Sequence, residues 1–73
     1  MAERWWVYVI EKYGKFYTGI TTDLDNRMRQ HDKSVPAYTE GPVSRRYAAK
    51  RERQIKGWTG KKKLALIRNA SSR

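Results

Sequence analysis

The chain contains no cysteine, which excludes disulfides and thiolate metal sites as supports for its fold. No apolar run is long enough to span a bilayer. The N-terminus carries no apolar segment of the secretory kind, so the expected location is the cytoplasm, with no membrane partner. No repeat and no second domain can be read from the sequence. At 73 residues the expectation is one small domain over residues 1–73, with a core over about 5–67 and a frayed basic tail over 68–73. Such a chain has little core for its surface.

Acid is also scarce, and very unevenly so. Residues 1–40 hold six Lys/Arg and six Asp/Glu, whereas residues 41–73 hold eleven Lys/Arg and a single acid, Glu52. The whole net charge of +10 therefore sits in the C-terminal half. Such a concentration on a small domain points to a polyanion, usually nucleic acid. The bland alternative is a solubilising surface. An anionic membrane surface fits less well, because no broad apolar face backs the basic segment.

The pattern turns informative at Trp5–Arg29, WWVYVIEKYGKFYTGITTDLDNRMR. Trp5–Glu11 and Lys15–Ile20 are rich in β-branched and aromatic residues and read as strands. Lys12-Tyr13-Gly14 supplies the turn between them. A two-residue loop at Tyr13-Gly14 sets Ile10 opposite Tyr17 and Tyr8 opposite Gly19, so these four share one face. Tyr8 and Tyr17 become diagonal neighbours, near enough to act on one ligand. Gly19 leaves room above the backbone for something bulky, and we place it among the nucleic-acid-binding positions. A helix follows, capped by Thr21 or Thr22, with Asp23 and Asp25 at its positive end. Its inward stripe is Leu24, Arg27, Met28 and His31. An arginine on an inward stripe needs an explanation, because charged side chains are seldom buried without a partner.

Asp32–Val43 reads as a connector, with Ala37-Tyr38-Thr39 able to pair briefly as a strand. A second helix is expected over about Ser44 to Gly57, capped by Ser44 and stopped by Gly57. Thr59-Gly60 opens a last helix, Lys61–Asn69, with Leu64, Ile67 and Ala65 turned inward. On the second helix Ala48, Glu52 and Ile55 share the face that docks on the sheet, so the lone acid of the basic half points inward. Glu52 is then either an ion-pair partner for Arg45, Lys56 or Arg27, or a hard oxygen ligand for Mg²⁺ or Mn²⁺, with waters and phosphate supplying the rest. Of Trp5, Trp6 and Trp58, two are expected in the core. One left exposed beside the basic region would be a platform for an unpaired base.

These features together resemble the GIY-YIG nuclease domain, and most closely its small stand-alone bacterial members of the UPF0213 type. Val7-Tyr8-Val9, Tyr17-Thr18-Gly19, the helix carrying Arg27 and the inward Glu52 carry the likeness. Phe16–His31 is similar to the family's second strand and first helix, and Arg51–Trp58 with Lys61–Ile67 to its C-terminal part. The resemblance implies hydrolysis of a nucleic-acid phosphodiester, DNA in preference to RNA, with one Mg²⁺ or Mn²⁺ ion. By the same resemblance Tyr17 is the general base, Tyr8 positions the nucleophile or phosphate, Arg27 stabilises charge on the phosphate and Glu52 holds the metal. An unperturbed phenol titrates near 10, so a tyrosine base needs positive charge beside it. His31, one turn beyond Arg27, is a secondary candidate for proton transfer.

The sequence departs from the family pattern in two places. Its first motif reads Val-Tyr-Val, and its second has threonine in the middle. Moreover, Ala37–Val43 runs almost straight into the second helix, where the family has a longer segment with a third strand. Either a short strand survives there, or the sheet has two good strands and an edge that another subunit closes as a homodimer. The expected fold is thus a small α+β domain, β-β-α-(β)-α-α, with helices packed on an antiparallel sheet. Arg45, Arg46, Lys50, Arg53, Lys61, Lys62 and Lys63 are expected to track a nucleic-acid backbone without reading its sequence. The rival readings are a non-catalytic nucleic-acid-binding module on the same fold and an adaptor domain completed by a partner strand.

Overall fold

The computed structural model describes residues 4–30 and 35–71. Trp5–Lys12 (β1) and Lys15–Thr21 (β2) form an antiparallel hairpin. Tyr13 and Gly14 close it with φ of 54° and 77°. Two successive left-handed residues make the kind of two-residue turn whose twist matches that of the strands. The register follows as expected, with Ile10 opposite Tyr17 and Tyr8 opposite Gly19.

The third strand survives. Tyr38–Val43 (β3) pairs antiparallel with β1 on its other side, giving the order β2-β1-β3. Val7 faces Glu40 and Trp5 faces Val43, so β3 carries one residue more than β1 over this stretch, a bulge at Gly41-Pro42. Gly41 is required there: its φ is 147°, and a Cβ would fall 2.7 Å from the Trp5 carbonyl oxygen. The peptide between Gly41 and Pro42 is cis.

The two faces of the sheet are covered by different helices. Leu24–Gln30 (α1) covers the face of Tyr8 and Ile10, burying Met28 against them with Leu24 alongside. Its cap is Asp23, whose Oδ1 accepts from the Asn26 N–H at 3.1 Å, and not Thr21 or Thr22. Thr21 lies two residues earlier, its Oγ1 accepting from the Asp23 N–H at 3.0 Å and so turning the chain into the helix.

Arg45–Lys56 (α2) and Gly60–Ser71 (α3) cover the opposite face, that of Val7 and Val9. Ser44 caps α2 as expected, its Oγ accepting from the Tyr47 N–H at 3.1 Å. Thr59 does the same for α3, accepting from the Lys62 N–H at 3.2 Å. Ala48 and Ile55 are fully buried, and Trp5, Phe16, Trp58, Leu66 and Ile67 pack around them. Burying each large aliphatic side chain of this core contributes roughly 1.5–3 kcal/mol.

Ile67 turns inward as expected, but Leu64 and Ala65 are exposed and Leu66 takes the inner position. Helix α3 also continues to Ser71, so residues 68–71 are helical rather than a frayed tail. Among the described residues no helix is long and apolar enough to cross a membrane.

Candidate active site

Tyr8 stands on the central strand and is buried, with 6% of its surface exposed. Its ring does not rise from the sheet but lies across Gly19 of β2. A Cβ at Gly19 would fall 2.5 Å from Tyr8 Cζ, with the hydroxyl oxygen closer still. This corrects the reading of Gly19 as an open landing place for nucleic acid. The space left by its missing side chain is filled by the Tyr8 phenol. Because β2 is an edge strand, the Tyr8 hydroxyl is carried out to the rim of the sheet.

Two opposite charges act on that hydroxyl, and they come from helices on opposite faces. Arg27 belongs to α1 and Glu52 to α2. Burial pushes the Tyr8 phenol above its ordinary value, Arg27 pulls it down and Glu52 pushes it up again. At neutral pH the Tyr8 phenol is therefore protonated and able to donate. Tyr17, on the same face of the edge strand, is 49% exposed and open to water.

Arg27 is exposed rather than inward. Its helix buries Met28 against Tyr8 and Ile10 of the central strand, and the neighbouring Arg27 is left exposed to water. Among the described residues it forms no ion pair. Glu52 is half-buried as its place between Ala48 and Ile55 requires, and it takes one of the anticipated local partners. Its Oε2 lies 3.5 Å from Lys56 Nζ, with the two side chains 24% and 57% exposed respectively. So exposed a pair holds the carboxylate only loosely. His31 lies outside the described residues.

The basic residues divide into two sets. Arg46, Lys50 and Arg53 are exposed along one stripe of α2, and Lys61 is exposed on α3. Arg45 instead stacks over Trp5, its Cζ 5.6 Å from the ring centre, and Lys62 stands 4.5 Å over Trp58. Lys63 is half-buried. Trp5 and Trp58 thus pack on the core while carrying cations on their rings. Trp6 is half-buried beside Gly41.

One polar cluster escaped the sequence reading. Arg51 Nε donates to both carboxylate oxygens of Glu40 at 3.1 Å, and the Tyr38 hydroxyl donates to Glu40 Oε1 at 2.8 Å. Arg51 also lies 5.2 Å over Trp58. The only hint in the sequence is that Tyr38 and Glu40 alternate onto one face of β3.

Compared with known proteins, residues 4–40 match the GIY-YIG catalytic domain. A UPF0213 protein of Haloquadratum walsbyi is 37% identical over 79 aligned positions, covering 90% of this chain and 89% of that protein. The chain belongs to the GIY-YIG family. No solved structure matches it. The GIY-YIG match spans β1, β2, α1 and the first part of β3, and so includes Tyr8, Tyr17, Gly19 and Arg27. Glu52 lies beyond it, and its standing rests on the geometry at the rim. GIY-YIG domains are a nuclease superfamily, and at that level the chain is of nuclease type.

Proposed function

We propose that this protein is a divalent-metal-dependent endonuclease that hydrolyses DNA phosphodiester bonds in the cytoplasm. The observation that carries the reading is the convergence at the β2 rim. Charges from two faces of the sheet act on one buried tyrosine hydroxyl, beside a second tyrosine exposed to water. A buried titratable group whose proton affinity is shifted by desolvation and by specific charged neighbours, as that of Tyr8 is, is a mark of functional sites.

Each side chain then has a role that its setting supports. Tyr17 Oη, facing solvent, acts in its phenolate form, its own proton having gone to bulk water, and takes a proton from the attacking water. Tyr8 Oη, held protonated by burial, donates to a phosphate oxygen and orients it. Arg27 has the freedom to hold two phosphate oxygens with parallel hydrogen bonds as negative charge develops. The water oxygen bonds to phosphorus, the opposite P–O ester bond breaks with its electron pair going to the leaving oxygen, and that oxygen takes a proton from solvent to leave as an alcohol.

Glu52 is the residue that would hold the metal. Among the described residues no group of three or more His, Cys, Asp or Glu side chains is gathered. A single loosely paired carboxylate fits a hard cation whose remaining ligands are water and phosphate. When bound, such an ion polarises the phosphoryl group and stabilises the leaving oxygen. The exposed stripe of Arg46, Lys50 and Arg53 contributes affinity through the phosphate backbone.

The test is cleavage of labelled single-stranded, duplex and branched DNA, with Mn²⁺ or with chelator, beside Glu52→Gln and Tyr17→Phe. The expected result is metal-dependent cutting that both substitutions abolish while DNA binding persists. Salt-sensitive binding with no cutting, indifferent to metal and to Glu52→Gln, would instead identify a non-catalytic binding module.

A further inference from the structure

Resting on the reading of Glu52 as the metal-holding carboxylate, we propose that Arg51, clamped to Glu40 of β3, is a positioning residue. It fixes the roll of α2 about its own axis and thereby aims Glu52 at the β2 rim.

The geometry follows from the helix repeat. Ala48 and Ile55 define the buried stripe of α2, over Val7 and Val9 of the central strand. Successive residues on a helix are turned by about 100°. Arg51 and Glu52 therefore leave α2 on opposite flanks of that stripe. Arg51 leans toward β3, where it meets Glu40, and Glu52 toward β2, the opposite edge of the sheet, where the Tyr8 hydroxyl lies over Gly19. If one flank is pinned, the other is aimed.

The contacts on the two flanks differ in what they can hold. The Lys56 partner of Glu52 sits on α2 itself and turns with it, so that pair cannot orient the helix on the sheet. The Arg51–Glu40 pair crosses from helix to strand. It is also well built: Arg51 Nε donates to both Glu40 oxygens at 3.1 Å, and Nη1 donates to Gln54 Oε1 at 3.3 Å. The guanidinium lies over Trp58 while Tyr38 holds Glu40 from the strand side. Arg51 and Glu40 are only 21% and 19% exposed. The apolar stripe offers less resistance to rolling, because Ala48 at its N-terminal end has no side chain beyond a methyl group.

Two measurements on the full chain test this. The first needs no metal: the ¹³Cζ shift of Tyr8 is compared with and without Glu52→Gln, in the wild-type chain and in Arg51→Met. Glu52→Gln is expected to move the signal in the wild type and to leave it still in Arg51→Met. An equal response in both backgrounds would overturn the proposal, whatever the enzyme cuts.

The second measurement follows Mn²⁺-induced broadening of the Tyr8 and Gly19 signals, with a nuclease-resistant phosphorothioate oligonucleotide bound. Arg51→Met and the milder Glu40→Gln should each need on the order of tenfold more Mn²⁺. The exchanged pair, Arg51→Glu with Glu40→Arg, should return toward the wild-type value, which a folding defect would not do. An unchanged Mn²⁺ requirement in both single variants counts against the proposal. If the wild type itself shows no Mn²⁺ broadening while the first measurement succeeds, the positioning role stands and the metal-ligand reading of Glu52 falls.

Discussion

The two edges of the sheet solve the same problem in opposite ways. At β3, polar groups answer one another across elements: Tyr38 and Arg51 both bond Glu40, and Trp58 covers the guanidinium. At β2, the charges converge on an open rim without being consumed there. Arg27 is exposed and, among the described residues, forms no ion pair, while Glu52 has only a loose helix-local partner. A satisfied cluster rigidifies, and a convergent but unsatisfied one is ready for a ligand. The difference teaches where to look for chemistry in a domain this small, and which side serves as its anchor.

The largest effect on the β2 rim should come from Gly19→Ala. The new methyl group collides with the Tyr8 phenol, and the buried ring must shift to admit it. The expected loss is about 1–3 kcal/mol of stability, together with displacement of the Tyr8 hydroxyl. Urea unfolding measures the first and cleavage the second. Gly57→Ala is the contrast: its φ is −78° and a Cβ would meet its nearest atom at an ordinary 3.5 Å. It should be neutral or stabilising by a few tenths of a kcal/mol.

Alkaline pH probes both edges together, because each carries one tyrosine whose proton is held more tightly in the folded state. Burial raises Tyr8, assisted by Glu52 and opposed by Arg27. Burial also raises Tyr38, assisted by its hydrogen bond to Glu40 and opposed by Arg51. With a folded value above the unfolded one, each contributes stability that is fully present below about pH 10. That contribution is lost as pH rises through the folded value, since the native state then binds more protons than the unfolded chain. Urea midpoints should hold steady from neutral pH to about 10 and fall beyond it. Tyr8→Phe and Tyr38→Phe should each flatten the fall.

A gain in stability is expected in the middle of the second motif. Thr18 Oγ1 is buried and, among the described residues, has no hydrogen-bond partner. Thr18→Val keeps the shape and removes that hydroxyl, so it should stabilise the chain by about 1 kcal/mol. Thermal or urea melts would detect the gain, and cleavage should be unaffected because the side chain faces away from Tyr8 and Tyr17.

Much of this was legible in the sequence where local rules leave one solution. The two-residue turn at Tyr13-Gly14 fixes the hairpin register, and the register fixes which tyrosines share a face. Ser44 and Gly57 bracket α2 for equally local reasons. Gly19 was less legible, because a glycine on a strand signals close approach without saying by what, and here it is a neighbouring side chain. Arg27 misled because a helical wheel assumes cover along the whole stripe, whereas α1 buries Met28 alone and leaves Arg27 exposed. In α3, Leu64, Leu66 and Ile67 allow more than one inward face, and only packing against β1 and α2 selects among them. The Glu40–Arg51 pair joins strand to helix across the bulge, a contact that no local pattern announces.

Removing one positive charge from each place separates chemistry at the β2 rim from binding along the basic stripe. Metal-supported DNA cleavage and DNA affinity would be measured in parallel for Arg27→Ala and Arg46→Ala. Arg27→Ala should lower the turnover of bound DNA by about 10²-fold or more. Arg46→Ala should weaken binding and reduce its salt dependence by roughly one charge, with turnover intact. Equal losses in the two variants, or turnover that survives Arg27→Ala, would contradict that separation.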